Sequence, residues 1–381
     1  MYKGYKIRIY PTKEQEELIW KHIHACRFIW NYMLALQEER YRNNEKHLSE
    51  FDMNYLLTTI KKQEKYKWLN EVSNSSLRII NKDLNMAYQR FYKKQNKLPK
   101  FKSKKNAKIV YPICSDPNVF YINNDTIRIQ KIGMIKIKSN LNISGKIINP
   151  RISLVNNKWI ISFKIECENQ ALPELTDKSM GIDLGIKELA VVAYDNQKLV
   201  FHNINKSKRV RTLEHKLKHI QRVIARKYCT NGSWEKTKGI ERYEKIAREI
   251  NYKLSNIRQN YIHQTTHELV NLLPERIVME DLDISEIMKN KYLSKAISEQ
   301  NLHELIRQMK YKCEWNGIEF IQADRFYPSS KTCSCCGKLK RNLKLSDRTY
   351  KCDQCGLVID RDYNAAINLM KYVSQNERFT A

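Results

Sequence analysis

The chain has 381 residues, enough for two or three domains of ordinary size. It contains 69 Lys and Arg residues against 41 Asp and Glu, a formal net charge of +28. Such a charge disfavours an enzyme of small neutral metabolites and favours a partner that is a polyanion, most often nucleic acid. The alternative interpretation is a lysine-rich solvated surface. An apolar fraction of 42% excludes a disordered chain.

No apolar run approaches the roughly 18 residues that a membrane span needs. Met1–Tyr10 lacks the apolar core of a signal peptide. We therefore expect a cytoplasmic protein that has no membrane partner.

The N-terminal part predicts one strand followed by helices. Residues 4–10 alternate between apolar and polar side chains, as a half-buried strand does. Thr12 and Gln15 have the spacing of a capping box, and apolar residues recur at helical spacing over 18–34. A second helix is predicted over roughly 75–95.

A basic segment and a series of short strands come next. Lys93–Lys108 holds eight lysines, a composition typical of a solvated loop that cannot pack as core. From about Ile109 to Glu168 the apolar period changes to two, and turn residues separate the runs. This pattern predicts a small β domain, a barrel that the strand at residues 4–10 completes.

From Met180 onward, strands and helices alternate, which predicts an α/β domain. A buried strand enters a hairpin, and a long helix follows with a heptad-like apolar stripe from Val210 to Ile224. A second long helix over about 234–273 precedes the strand RIVMEDL. A helix near 302–315 and the strand IEFIQAD then lead to a cysteine cluster, and a last helix begins near Asp362.

Four cysteines have the spacing of a metal site. Two CxxC pairs, Cys333/Cys336 and Cys352/Cys355, are typical of one structural zinc ion held by four thiolates. A glycine follows each pair, where a tight knuckle needs a flexible backbone. Cys335 is interpreted as a bystander. Free thiols are the alternative interpretation.

Three acidic residues have unusual neighbours. Asp183 lies inside an apolar strand, Glu280 ends another, and Asp362 opens the last helix. An unpaired buried carboxylate is costly, and three that converge can hold two Mg²⁺ ions for phosphodiester hydrolysis. Such residues also cap helices or pair with lysine, so this alternative stays open. Asp281 faces away from Glu280 by strand alternation, and Asp360 can serve as a helix cap.

Several sequence blocks, in order, resemble the TnpB (OrfB) proteins of insertion sequences. These blocks are RIYPTKEQEELI, WLNEVSNSSL, LPKFKSKK, GIDLGIKELAV, IVMEDLDISEIMKN, YPSSKTCSCCG, KCDQCG and DRDYNAAINL. That family comprises RNA-guided DNA endonucleases related to the type V CRISPR effectors. The resemblance covers nearly the whole chain.

The resemblance implies a multidomain α+β fold. A β-barrel wedge would comprise 1–10 and 108–175, with a helical recognition lobe at 11–107. An RNase H-like (RuvC) α/β nuclease domain would comprise 176–330 and 357–381, with a zinc ribbon inserted at 331–356.

It also implies the catalytic residues and the partners. Asp183, Glu280 and Asp362 correspond to the family's catalytic carboxylates, and Asp362 is favoured over Asp360. The implied cofactors are two Mg²⁺ ions, one structural Zn²⁺ and a guide RNA from the element's end, with one protein per RNA. The implied substrate is double-stranded DNA that matches the guide beside a short flanking motif. The implied location is the bacterial cytoplasm, at the nucleoid.

Basic residues are expected to line the nucleic-acid channel: Lys93, Lys94, Lys97, Lys100, Lys102, Lys104, Lys105, Arg209, Lys216 and Arg222. Ser76 and Asn81 are the residues expected to read the flanking motif. Two rival functions remain: a non-cleaving RNA-guided regulator, and a transposase that acts without guide RNA.

Overall fold

A computed structural model describes residues 1–104, 109–138, 145–167, 171–231, 236–344 and 347–372. The chain divides into two compact units, Met1–Asn169 and Gln170–Ala381. This division lies six residues before the predicted domain boundary at 175/176. No helix within the described ranges is both long enough and apolar enough to cross a membrane.

The first unit combines three helices with a seven-stranded sheet, counted over its described residues. In chain order its elements are β1 (Tyr2–Tyr10), α1 (Lys13–Arg42), α2 (Glu50–Ile60), α3 (Asn74–Tyr92), β2 (Val110–Pro112), β3 (Phe120–Asn123), β4 (Thr126–Ile129), β5 (Gly133–Ile137), β6 (Lys146–Val155) and β7 (Lys158–Glu166), with a short 3-10 helix at Glu64–Glu71 between α2 and α3. The strand order is β2-β6-β7-β1-β5-β4-β3. The first strand therefore joins the strands of residues 110–166 in one sheet, as predicted, and lies between β7 and β5.

Local sequence signals explain how the helices of this unit begin. Thr12 accepts a hydrogen bond from the backbone N–H of Gln15, whose side chain accepts one from the Thr12 N–H, so the predicted capping box is confirmed. Ser49 and Asp52 form the same arrangement at the start of α2. The strands β3 and β6 were not predicted individually. Closure of the sheet into a barrel stays a prediction.

The second unit contains a mixed five-stranded sheet of order β10-β9-β8-β11-β12. Its elements are β8 (Ser179–Leu184), β9 (Glu188–Tyr194), β10 (Gln197–His202), α4 (Lys208–Asn231), α5 (Lys238–Asn271), β11 (Arg276–Glu280), α6 (Ile284–Met288), α7 (Ser294–Gln300), α8 (Leu302–Asn316), β12 (Glu319–Ala323), β13 (Thr349–Lys351), β14 (Val358–Asp360) and α9 (Arg361–Met370), with a 3-10 turn at Ile204–Lys206. β8, β9 and β10 are antiparallel neighbours, whereas β8, β11 and β12 run parallel. The predicted hairpin and the alternation of strands with helices are confirmed.

The two faces of this sheet pack against different helices. On one face, Met180, Ile182 and Met279 form a buried cluster with apolar residues of α5 and α8. On the other face, Val278 of β11 packs with Leu369 of α9. Because strand side chains alternate between faces, Asp183 and Glu280 point to the α9 side.

The long helices α4 and α5 pack together through the predicted apolar stripe. Val210, Ile250 and Leu254 are buried at this contact, and Leu213, Leu217 and Ile220 pack against them. The basic side chains of α4 lie on its remaining faces, which agrees with the heptad-like pattern of the sequence.

Candidate active site and four-cysteine cluster

The carboxyl ends of β8 and β11 bring two of the three predicted carboxylates together. These strands are parallel, and their last registered pair is Ile182 with Met279. Asp183 and Glu280 each follow that pair by one residue, at adjacent positions about 4.8 Å apart in strand spacing. The register of the sheet thus places both side chains on the same edge and the same face.

The helix α9 supplies the third carboxylate. Ala366 and Met370 of α9 lie so close to Gly181 that a Cβ at that position would overlap their backbone atoms. Asp183 lies two residues further along β8 on the same face, and Asp362 lies one helical turn before Ala366. Gly181 therefore permits the close approach that brings Asp362 to Asp183.

The three side chains lie close enough to influence one another's ionisation. Burial raises the pKa of Asp183 well above its usual range, and the negative charges of Glu280 and Asp362 add to this effect. Burial and the charge of Asp362 likewise raise the pKa of Glu280 to about 7. The positive charge of Arg361 opposes the shift at both residues. The site is thus an anionic, partly dehydrated pocket of the kind that binds a hard cation.

Arg361 is a site residue that the sequence analysis missed. Its Nε lies 3.5 Å from an Asp362 carboxylate oxygen, and its Nη1 donates a hydrogen bond to the carbonyl of Asp347 at 3.2 Å. The signal in the sequence was its position between two aspartates, Asp360 and Asp362.

The neighbouring acidic residues have other partners. Asp360 is the N-cap of α9 and accepts a hydrogen bond from the Tyr363 N–H at 2.9 Å, as the alternative interpretation allowed. Asp281 accepts a hydrogen bond from the Gln322 side chain and pairs with Arg325. Both side chains are therefore bound to partners outside the group of three.

The four predicted cysteines converge. Their sulfur atoms lie within 4.8 Å of one another, and the Cys333–Cys355 and Cys336–Cys352 sulfur pairs are each 3.6 Å apart. A tetrahedral zinc ion with Zn–S bonds of about 2.3 Å requires sulfur atoms about 3.8 Å apart. The donor set and its dimensions thus fit Zn²⁺. Cys335 is exposed and lies outside the cluster.

Two glycines complete the knuckles of this cluster. Gly337 and Gly356 both have a φ of +73°, in the left-handed region that favours glycine. Their N–H groups donate hydrogen bonds to the carbonyls of Cys333 and Cys352, at 3.0 and 3.1 Å. The glycines expected from the sequence are confirmed in this role.

Two asparagines on α9 connect the cysteine cluster to the carboxylates, and the sequence analysis did not single them out. Asn364 donates to the carbonyl of Thr332 at 2.7 Å and accepts from the N–H of Ser334 at 3.0 Å. Asn368 donates to the carbonyls of Ser329 and Thr332, each at 2.7 Å. Both asparagines are buried. These hydrogen bonds join α9, the helix that carries Asp362, to the backbone on both sides of Cys333.

The predicted basic residues divide into exposed and partly buried side chains. The exposed residues are Lys93, Lys94, Lys97, Lys100, Lys104, Arg209, Lys216 and Arg222. Lys102 differs, because its ammonium lies 3.4 Å from the centre of the Trp30 ring and burial lowers its pKa to about 8. Lys105 lies outside the described residues.

Residues 99–102 are anchored more firmly than the residues of a solvated loop. The Trp30 Nε1–H donates to the carbonyl of Lys100, and Asn31 exchanges two hydrogen bonds with the backbone of Lys102. Pro99 is buried. The predicted loop is confirmed over its described residues, which are mostly exposed, but α1 holds its backbone at Lys100 and Lys102.

Ser76 and Asn81 do not face solvent in this structure. Both side chains are completely buried in α3, and Asn81 donates a hydrogen bond to the Asn54 side chain at 3.0 Å. A base edge has no access to either side chain here. Their proposed role in reading DNA gains no support from the fold of this unit, because the polar residues chosen lie on the core face of the helix.

Three family models match the chain. They are the helix-turn-helix domain of OrfB proteins of the IS605 type at residues 1–46, the IS605 OrfB model described as "Probable transposase" at 162–291, and "Cas12f1-like, TNB domain" at 303–369. Over 1–46 the chain itself forms β1 and the single helix α1. The third model spans α8, the four cysteines and most of α9.

Curated relatives extend the match to almost the full length. A Streptomyces pristinaespiralis protein named "Putative RNA-guided DNA endonuclease" is 28% identical over 97% of this chain and 88% of its own. The Escherichia coli K12 protein named "Putative RNA-guided DNA endonuclease InsQ" is 27% identical over 97% of this chain and 91% of its own length. The "CRISPR-associated endodeoxyribonuclease Cas12f1" of Sulfoacidibacillus thermotolerans is 26% identical over 56% of this chain and 50% of its own length.

The matched models follow the same order along the chain as the sequence blocks from which the resemblance was drawn. They include the segments that carry Asp183, Glu280, the four cysteines and Asp362. The resemblance to the TnpB (OrfB) family is therefore confirmed, and it extends over nearly the whole chain.

Proposed function

We propose that the protein is an RNA-guided, metal-dependent DNA endonuclease of a transposable element. The observation that carries this proposal is the convergence of Asp183, Glu280 and Asp362 in one anionic pocket. The two relatives that match over nearly their whole length are named as RNA-guided DNA endonucleases, which supports the same activity. The non-cleaving alternative is disfavoured, because all three carboxylates are present.

The proposed domains follow from this activity. The mixed five-stranded sheet with α5, α8 and α9 would form an RNase H-like (RuvC) nuclease domain, and the four-cysteine segment at 331–356 would be its zinc ribbon. In the first unit, the seven-stranded sheet would form the β-barrel wedge and α1–α3 the recognition lobe.

The chemistry of the two donor sets indicates which metal each would hold. Four thiolates at 3.6 Å spacing favour Zn²⁺ and leave no open position for catalysis. Asp183, Glu280 and Asp362 offer only oxygen atoms, which Mg²⁺ prefers, and their mutual repulsion favours bound cations. Bound Mg²⁺ would supply the positive charge that activates water and stabilises the leaving oxygen of a phosphodiester.

The residues of the chain contribute orientation and charge to this hydrolysis. Asp183 and Glu280 are fixed by the parallel register of β8 and β11, so their oxygens need little rearrangement when a phosphate enters. Partial burial of the carboxylates would reduce the amount of water around a phosphate bound there. Arg361, next to Asp362, adds a positive charge that favours the ionised form of the carboxylates.

The exposed basic residues are proposed to hold the nucleic acids. Lys100 and Lys104 line a cavity of about 890 Å³ in the first unit, together with Arg27 and Arg151. Phosphate contacts of this kind fix the position of a strand but carry little sequence information. Sequence would be read by pairing between guide and target, as in other RNA-guided systems.

One experiment tests the proposal. The protein is expressed with the DNA that flanks its gene, the RNA that co-purifies is sequenced, and cleavage of matched double-stranded DNA is measured with Mg²⁺. We expect one discrete RNA with a variable end, and cleavage that Asp183→Ala abolishes while RNA and DNA binding persist. The matched control is Asp177→Ala, since Asp177 is exposed and lies outside the site.

Other outcomes would contradict the proposal. Undiminished cleavage by Asp183→Ala would remove the carboxylates from the mechanism. Tight binding of matched DNA without cleavage in Mg²⁺ or Mn²⁺ would indicate a regulator. Strand-transfer products formed without RNA would indicate a transposase.

A further inference from the structure

Phe326 is an exposed aromatic side chain on a well-anchored loop. Its side chain is 91% exposed, although it lies between residues that are held in place. On one side, Asp324 accepts a hydrogen bond from the Tyr372 hydroxyl at 2.9 Å. On the other, the Tyr327 hydroxyl donates to the carbonyl of Asn368 at 3.2 Å, and its ring packs edge-on against Tyr372.

Arg325 fixes the loop from a second direction. Its guanidinium lies 3.1 Å from a carboxylate oxygen of Asp283 and 3.5 Å from one of Asp281. The side chains on both sides of Phe326 are therefore bonded to neighbouring elements. They anchor the loop that carries the exposed phenyl ring.

This position is close to the three carboxylates. Ala323, the last residue of β12, is the registered partner of Glu280 in β11. Phe326 follows Ala323 by three residues, so their Cα atoms are at most about 11 Å apart. With the strand spacing of about 4.8 Å, the Cα of Phe326 lies at most about 16 Å from that of Glu280. That limit corresponds to about five nucleotides of a stacked strand. A strand whose phosphate lies at the carboxylates has a base within reach of the ring.

We propose that Phe326 is a stacking platform for an unpaired base of the single-stranded DNA that enters the carboxylate pocket. Every base has a π-face, so stacking on an aromatic ring tolerates any sequence, as a guided nuclease requires. Phe326 is then a positioning residue that holds the strand while the carboxylates act. This inference rests on the proposed endonuclease function.

The charge of the chain favours a nucleic acid as the occupant over a second protein. A net charge of +28 repels another copy of the chain and attracts a DNA strand. The phenyl ring adds a contact that does not depend on salt, next to phosphate contacts that do.

Two readouts on the full-length, RNA-loaded protein test the inference. The first is Mg²⁺-dependent cleavage of guide-matched single-stranded DNA, with KM and kcat measured separately. For Phe326→Ala we expect KM to rise roughly 5- to 10-fold, the low end of the range for loss of one stacked base, with kcat little changed. Phe326→Tyr should restore KM. Phe51→Ala, at an equally exposed phenylalanine of α2 in the first unit, should leave KM unchanged.

The second readout is binding without cleavage. In an Asp183→Asn background, the same DNA carries 2-aminopurine at successive positions, and stacking quenches its fluorescence. We expect one position whose quenching is lost in the additional Phe326→Ala variant. A parent protein that neither cleaves nor loses quenching on Phe326→Ala would contradict both the proposed function and the inference.

The two readouts separate the inference from the proposed function. If the parent protein cleaves DNA while Phe326→Ala changes neither KM nor quenching, the platform is overturned and the nuclease assignment stands. If the parent protein does not cleave but quenching depends on Phe326, the platform stands and the nuclease assignment fails. A change in oligomeric state with unchanged DNA affinity would assign Phe326 to a protein contact and overturn the inference.

Discussion

Replacing Glu280 by glutamine should stabilise the metal-free protein while it abolishes cleavage. Glu280 ends β11 beside Asp183 and Asp362, and burial together with the charge of Asp362 raises its pKa to about 7. Glutamine has almost the same shape and carries no charge. The substitution therefore removes the repulsion between Glu280 and Asp362, two carboxylates that the proposed function would require for metal binding.

The pH dependence follows from linkage. The folded state holds the Glu280 proton more strongly than the unfolded chain does, because the pKa rises from 4.5 to about 7 on folding. This stabilisation is present below pH 4.5 and is lost as the pH rises towards 7. This rise in the Glu280 pKa corresponds to at most about 3 kcal/mol of the free energy of unfolding. We expect Glu280→Gln to gain about 1–3 kcal/mol over the wild type at pH 8, and much less at pH 5.

Hydrogen exchange of peptides from β8 and β11 is the suitable assay, since it reports the local opening free energy in a chain of two units. It is run in buffer free of Mg²⁺ with zinc retained, at pH 5 and at pH 8. Adding Mg²⁺ should protect these strands in the wild type but hardly in Glu280→Gln. Glu319→Gln, at an exposed position on β12, is the control and should behave as the wild type. A loss of protection in Glu280→Gln at pH 8 would refute the reasoning.

Three further predictions concern other parts of the chain. Cys352→Ser should lose zinc by elemental analysis and lower both the melting temperature and cleavage, whereas Cys335→Ser should match the wild type in all three. Gly181→Ala should lower stability by at least about 1–3 kcal/mol in thermal unfolding and impair cleavage, because its methyl group would displace α9; wild-type unfolding would contradict this. Lys97→Ala should remove one phosphate contact and so reduce the slope of log affinity for nucleic acid against log salt concentration by ~0.7–0.9. Lys102→Ala should instead lower the free energy of unfolding by about 0.5–2 kcal/mol, because it removes the contact with the Trp30 ring.

The sequence was most informative where local chemistry decides the structure. The capping box at Thr12, the apolar stripe of α4 and the two CxxC knuckles each depend on residues close together in the chain, and all three are confirmed. The grouping of Asp183 with Glu280 was harder to predict, because 97 residues separate them. Only the parallel pairing of β8 with β11 makes them neighbours, whereas the family resemblance implied their grouping without that pairing.

The sequence was least informative about the burial of polar residues. Ser76 and Asn81 were expected to contact DNA, since polar side chains are usually exposed. Both nevertheless lie on the core face of α3. Lys102 lies in a run of lysines whose composition is typical of a solvated loop, but Trp30 and Asn31 hold it against α1. In each case a tertiary contact decides the environment, and no local pattern encodes that contact.

Hydrogen bonds connect the four-cysteine segment to α9, the helix that carries Asp362. The first turn of α9 carries Asp362 and Asn364, and the second carries Asn368. The two asparagines bond the backbone on both sides of Cys333. A ten-residue helix is marginally stable by itself, so its position depends on such tertiary bonds. Asp362 also lacks the fixed register that parallel pairing gives to Asp183 and Glu280. The four-cysteine segment thus helps to determine where Asp362 lies, and under the proposed function it would contribute to catalysis from outside the carboxylate pocket.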